Sequence, residues 1–165
     1  MTARPEPAFL LRPGAPGDAA AVRDLVRDAY APWVPVIGRE PLPVRVDYGL
    51  ALLQNRFDLA FVGGALAGLI ETSVGDDHLL IVNVAVAPDC QGRGLGRSLL
   101  QRAEAIAAGE GLAELRLYTN ARFERNIALY ARLGYAIDRE EPFPGGTVIH
   151  MSKRIPGADG AAVSA

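Results

Sequence analysis

Apolar positions change their spacing several times along the chain, and each change marks an element. Ala8 to Leu11 is a short apolar run stopped by Arg12-Pro13-Gly14 and predicts a strand. After Asp18, the residues Val22, Leu25, Val26 and Ala29 recur at helical intervals, which predicts a helix through Tyr30 with Asp18 as its N-cap. Ala31 to Pro43 holds four prolines and one glycine, so an ordered loop or a broken helix is expected. Val44 to Gln54 predicts a second short helix. From Asp58 the period changes to that of a strand. Two extended runs flank Gly63-Gly64-Ala65, a hairpin signal. After the turn at Gly75-Asp76-Asp77, His78 to Ala87 is a nearly continuous β-branched run, as expected of a central strand buried on both faces.

Beyond Pro88 the chain passes through Gln91-Gly92-Arg93-Gly94-Leu95-Gly96 into a long helical pattern. Its apolar stripe is Leu95, Leu99, Ala103, Ile106 and Ala107, and Gly109 and Gly111 supply the stop. Glu114 to Thr119 predicts a strand with Leu115 and Leu117 on one face. Phe123 to Leu133 predicts a helix with Phe123, Ile127, Tyr130 and Ala131 toward one side, capped by Gly134. Tyr135 to Arg139 and Thr147 to Arg154 are the last expected strands. Residues 8–155 form one expected domain, and residues 1–7 and 156–165 are expected to be flexible.

Composition narrows the function classes. The chain has 165 residues, 50% hydrophobic and 22% charged, which fits one folded domain and excludes global disorder. A formal charge of −2 argues against nucleic acid or an anionic membrane as the main partner. Cys90 is the single cysteine, and His78 and His150 are the only histidines, so neither an internal disulfide nor a Cys/His metal cluster is expected. With no long apolar stretch near the start and none approaching the ~20 residues of a membrane span, a cytoplasmic protein is expected.

The strand–glycine loop–helix stretch carries the first specific chemistry. Glycines let the backbone approach an anion, helix-start N–H groups point at it, and the helix dipole favours negative charge. Arg93 and Arg97 add cations. The spacing is not that of a Walker A loop, since no lysine is available there. Nor does it fit a dinucleotide fingerprint, because GxGxG replaces GxGxxG and no acid follows the next strand.

Val84-Ala85-Val86-Ala87-Pro88 with Gln91-Gly92-Arg93-Gly94-Leu95-Gly96, followed by Asn126-Ile127-Ala128-Leu129-Tyr130-Ala131-Arg132-Leu133-Gly134-Tyr135, resembles the coenzyme site of the GNAT N-acetyltransferases. The resemblance covers Ala8 to Arg154. It implies an α/β fold: a mixed, mostly antiparallel sheet with a splayed coenzyme-binding strand pair, flanked by about four helices. It also implies acetyl-CoA as co-substrate and no metal. Val84, Ala85 and Val86 match the strand whose backbone pairs with the pantetheine arm, and a backbone N–H near Val84 would serve the thioester carbonyl. Gln91 to Gly96, with Arg97 and Ser98, match the pyrophosphate loop. Asn126 and Tyr130 lie at i and i+4 on one helix face. The asparagine would hold the coenzyme, and the tyrosine would protonate the departing thiolate, since a phenol is protonated at neutral pH.

Many relatives carry a glutamate where this chain has Val82 beside Asn83. Glu71 on the adjacent strand is therefore the first candidate for general base, and His78 the second. The alternative is no base catalysis, with the neutral amine fraction reacting by proximity alone. In the family, the segment between the first two helices forms the acceptor pocket; here Tyr30, Trp33, Arg39, Asp47 and Tyr48 are its candidates, each of which can equally be scaffold. Cys90 is read as incidental, because no histidine partner is evident. The expected activity is acetyl transfer from acetyl-CoA to a primary amine, by direct attack in a ternary complex. A small-molecule acceptor is favoured over a protein N-terminus or lysine. A non-catalytic acyl-CoA-binding module is the alternative of a different class, and a homodimer is left open.

Overall fold

A computed structural model of the chain describes residues 8–156; the expected flexible ends lie outside these, apart from Pro156. Seven strands form one sheet in the order β1-β2-β3-β4-β5-β7-β6. They are β1 Leu10–Pro13, β2 Arg56–Val62, β3 Ala65–Val74, β4 Leu79–Val86, β5 Glu114–Asn120, β6 Ala136–Phe143 and β7 Gly146–Arg154. The helices are α1 Ala19–Tyr30, the single turn α2 Val34–Ile37, α3 Tyr48–Gln54, α4 Leu95–Gly109 and α5 Glu124–Arg132. The chain divides into two compact units, one of residues up to Thr72 with Asn83–Leu100, the other of Ser73–Val82 with residues from Gln101 onward.

In the first unit, β2 and β3 form the expected hairpin. Gly63 and Gly64 have φ of 58° and 81°, the positive values that a two-residue turn between twisted strands requires. Its register sets Leu59 opposite Leu69 and Phe57 opposite Glu71. Val22, Leu25, Val26 and Ala29 of α1 pack with Tyr48, Ala51 and Leu52 of α3 on Phe57, Leu59, Leu69 and Ala85. One helix-covered sheet face thus reads Phe57, Leu59, Leu69, Glu71, Asn83 and Ala85, because side chains of one parity share a face. The opposite face is equally tight at Gly68, where an added Cβ would stand 3.1 Å from Leu95 Cδ2 and 3.2 Å from the Ala85 carbonyl oxygen.

Several expectations change in detail. The proline-rich stretch is the broken helix: 3-10 turns at Ala31–Trp33 and Leu42–Arg45 flank α2, which ends on Gly38 at φ 74°. The predicted helix over Val44 to Gln54 therefore contracts to α3, with Asp47 accepting from the Leu50 N–H as N-cap. The β4 run is not buried on both faces. Leu79, Ile81, Asn83 and Ala85 are buried, whereas Leu80, Val82, Val84 and Val86 are half-buried. β-branched residues suit any pleated surface, so their continuity does not by itself report double burial.

Asp18 does not cap α1 with its side chain. Its carboxylate accepts from both terminal nitrogens of Arg12, at 2.9 and 2.7 Å, and from the Ala15 N–H at 2.9 Å, while the Arg12 guanidinium lies 4.7 Å over the Phe61 ring. The Arg12 bonds and then the Ala15 bond hold the Asp18 carboxyl down at about 2. A depressed carboxyl stabilises the fold above its ordinary value and loses that contribution as pH falls. Asp18→Asn is therefore expected to cost about 1 kcal/mol near neutrality. In chemical denaturation the difference from the parent closes between pH 3.8 and about 2.

In the second unit, β4 and β5 pair in parallel at Leu79↔Leu115 and Leu80↔Arg116, and this ladder stops after those two rungs, as expected of a strand pair that diverges. β5 pairs antiparallel with β7, and β7 with β6. β6 runs four residues beyond the predicted Arg139. Its side chains are exposed up to Pro142, so no apolar alternation marks it, and its charges suit a sheet edge. Ala131, expected on the inner side of α5, is exposed. Lys153, the only lysine in the chain, donates to Glu104 Oε1.

Candidate functional site

The glycine loop lies in the first unit. Gly92 and Gly94 have φ of 74° and 84°, with no atom within 4 Å of an added Cβ at either. Glycine is therefore needed for backbone conformation, not for packing. Ser98 N donates to the Gly94 carbonyl at 3.0 Å, which sets Gly94 at the helix threshold. The N–H groups of Leu95, Gly96 and Arg97 then belong to the first turn of α4, where no intrahelical acceptor exists. Leu95 is buried and anchors the turn, while Gln91, Arg93 and Arg97 are exposed and Ser98 is half-buried. Exposed guanidinium groups beside free amides form a surface for phosphate oxygens. The Gln91 side-chain amide donates to the Val86 carbonyl at 3.1 Å, tying the loop to the end of β4. Ala87 N bonds the Ala67 carbonyl at 2.8 Å.

Next to Val84, Ala85 and Val86 along β4 stands Asn83, a buried amide in an apolar strand. The Tyr30 hydroxyl donates to Asn83 Oδ1 at 2.7 Å, and Asn83 Nδ2 donates to the Tyr48 hydroxyl at 3.4 Å. Tyr48 in turn donates to the Pro43 carbonyl at 2.6 Å. This chain of bonds ties the end of α1, the proline-rich segment and α3 to β4. Of the acceptor-pocket candidates it brings Tyr30 and Tyr48 together. Tyr48 is also a core residue, edge-on to Phe57 at 6.2 Å. The Asp47 carboxylate is engaged as the α3 cap. Trp33 is half-buried and Arg39 exposed.

Glu71 is 3% exposed on the same helix-covered face. Its Oε1 accepts from Asn55 Nδ2 at 2.9 Å. Burial raises its pKa and the Asn55 bond opposes that rise. Burial, followed by the Glu71 charge, pushes the Tyr48 phenol up as well. A buried carboxylate among neutral partners is costly, and such groups concentrate at functional sites. His78, the second base candidate, is placed otherwise: it lies in the bend before β4, and its Nδ1 is 2.8 Å from Asp77 Oδ1. Cys90 is half-buried, and its thiol is pushed up by burial and then by Asp89, the reverse of an activated thiolate.

Asn126 and Tyr130 lie on α5 in the second unit, both half-buried. Burial raises the Tyr130 phenol to about 12. Its ring meets that of Tyr135 at 5.9 Å and 62°. A phenol so shifted stays protonated well beyond neutral pH and can donate a proton.

Asn83 and Asn55 are the polar residues that motif reading passed over. Asn83 had a signal, as the one amide inside an apolar strand run. Asn55 looks like an ordinary helix-ending residue, and only its shared parity with Phe57, opposite Glu71, could have pointed to it.

Comparison with known proteins gives the family and the fold. The model of the acetyltransferase (GNAT) family matches residues 21–135. The chain is 36% identical over 61 residues to serotonin N-acetyltransferase 2 of Oryza sativa subsp. japonica, spanning 37% of this chain and 29% of that protein. It is 39% identical over 72 residues to the ribosomal protein bS18-alanine N-acetyltransferase of Escherichia coli, 44% of this chain and 49% of that one. The matches thus span less than half the length of these relatives. In fold, it superposes on the PaiA N-acetyltransferase of Thermoplasma acidophilum in complex with coenzyme A, with TM-score 0.77, 20% identity, and 90% and 99% of the two chains covered. The crystal structure of the Escherichia coli S18-alanine enzyme gives TM-score 0.73 at 24% identity, with 90% and 94% covered. With the family model covering well over half of its residues, the chain belongs to the acetyltransferase (GNAT) family.

Proposed function

We propose that the protein transfers the acetyl group of acetyl-CoA to a primary amine by direct attack within a ternary complex. The observation that carries this reading is in the first unit. A glycine loop with free helix-start amides and two exposed arginines follows β4, and the neighbouring strand β3 carries the buried carboxylate of Glu71. Acetyl-CoA supplies an activated acyl group as its thioester. Gln91 to Ser98 hold its phosphates, and the backbone of Val84 to Val86 holds the pantetheine arm, with Asn126 as a further coenzyme contact. An N–H near Val84 stands as donor to the thioester carbonyl. The acceptor arrives as an ammonium ion, and Glu71 takes its proton so that the nitrogen lone pair can attack. Tyr130 returns a proton to the departing sulfur.

Tyr30, Trp33, Arg39, Asp47 and Tyr48 belong to the segment that meets the acceptor. The names of the relatives give a small amine in one case and a protein alanine in the other. Both present a primary amine, and the small molecule is the preferred reading here. The competing reading is a non-catalytic acyl-CoA-binding module; a buried carboxylate, hydrogen-bonded to Asn55 and close enough to Tyr48 to raise its phenol, favours catalysis over it.

Thiol release from acetyl-CoA, followed across a panel of arylalkylamines, amino acids and peptides with free N-termini, tests the proposal. Amine-dependent release is expected, and coenzyme binding without release to any acceptor supports the module instead. Gly94→Ala is expected to weaken acetyl-CoA binding by at least about tenfold in calorimetry, because the side chain resists the positive φ of the loop. Its thermal midpoint should fall by only about 2–4 °C, the cost of the positive φ, because no neighbouring atom clashes with the added side chain.

A further inference from the structure

We propose that Asn55 is the positioning residue of Glu71: its side-chain amide holds Oε1 of the carboxylate and leaves Oε2 as the atom that takes the acceptor's proton. The inference rests on the reading of Glu71 as the general base. It begins with the backbone. Asn55 ends α3, its N–H bonded to the Ala51 carbonyl at 2.8 Å, and its φ and ψ of −121° and 163° are already those of a strand. Phe57, two residues on, lies opposite Glu71 in the β2–β3 register. Asn55 shares its parity, so strand alternation brings the amide diagonally across to the carboxylate. The 2.9 Å bond from Nδ2 to Oε1 is the result.

Among the described residues, the shift of Glu71 has no charged partner among its causes: burial and the Asn55 bond account for it. Phe57 stands opposite it on β2, and the neutral Asn83 amide lies on β4, the neighbouring strand. From α3 Glu71 faces the Tyr48 phenol, and α1 contributes the Tyr30 hydroxyl, which is bonded to Asn83. Burial alone would keep the carboxyl protonated to higher pH, and a protonated carboxyl cannot act as a base. A donated hydrogen bond stabilises the ionised form, and the Asn55 bond acts in that direction. Asn55 itself is only half-buried, so shortening its side chain leaves the core largely intact.

The test is a carbon-13 NMR titration of the Glu71 carboxyl in the full chain, run beside the pH dependence of kcat/KM for the amine. Asn55→Ala is expected to raise the Glu71 titration by roughly one pH unit, and Asn55→Asp, which keeps the shape but adds a like charge, by more. The acid limb of the rate profile should move up by the same amount. The plateau above it should stay within about threefold of the parent, and acetyl-CoA affinity should be unchanged. A Glu71 titration that stays put in both variants overturns the proposal. So does a uniform loss of rate at every pH with the limb in place, the mark of a structural role. A titration that moves while the limb does not defeats Glu71 as the base, and with it the catalytic part of the proposal.

Discussion

Glu71→Gln is expected to lower kcat/KM for the acceptor by about 100-fold or more, the usual effect of removing a positioned base, while acetyl-CoA binds as before. Glutamine keeps the size of the side chain and an oxygen for the Asn55 amide, so the loss isolates proton uptake. In the parent, the rate falls as pH drops through a limb above the ordinary glutamate value of 4.5, since burial is the main cause of the shift. The variant should lack that limb. Stability should move the other way. A carboxyl whose folded pKa is raised favours the native state below its unfolded value, and that advantage is lost as pH rises through the folded value. Above its folded value the parent carries a charge that the core disfavours. Glu71→Gln should therefore melt higher there, with the gap narrowing as pH falls toward the unfolded value of 4.5. A variant that keeps the parental rate near neutrality would remove Glu71 from the mechanism.

Tyr130→Phe should lower turnover by about 10- to 100-fold, with acetyl-CoA affinity within about twofold of the parent. The ring is kept, so its edge contact with Tyr135 survives and the lost hydroxyl is the only chemical change. With the phenol raised to about 12, no alkaline loss of activity should arise from Tyr130 below about pH 11. The decisive measurement uses an acetyl thioester whose thiol is more acidic than coenzyme A. Such a thiol leaves without a proton, so the variant should approach the parental rate with it. An equal deficit on both thioesters would assign Tyr130 to binding or packing.

The sequence disclosed the parts of this protein where local chemistry and tertiary context agree. Paired glycines between extended runs made the β2–β3 hairpin legible, and the stripe from Leu95 to Ala107 made α4 legible, because turn chemistry and period each point to one solution. Where context decides, the reading stopped short. Asp18 has the composition of a cap, but Arg12, six residues earlier, engages its carboxylate instead. β6 has no apolar face and exists through its partner β7. The glycine loop was legible because Gly92 and Gly94 stand where the backbone takes positive φ. Glu71 was legible only as a leftover acid; its burial and its amide partner come from strand register, which no local window contains.

The ion pair of Lys153 with Glu104 bears on the proposed use of an acyl thioester. Acyl thioesters modify free amines without any enzyme, and a chain that binds one repeatedly exposes its own side chains to the same fate. Here all but one of the seventeen lysine and arginine residues are arginine, and a guanidinium remains protonated at any working pH. The exception is a single ε-ammonium engaged by a carboxylate. Its side chain is 20% exposed. Lys153 is therefore the one side-chain amine open to stray acylation, beside the Cys90 thiol and the α-amino group, so intact-mass spectra after long incubation with acetyl-CoA should show few background adducts.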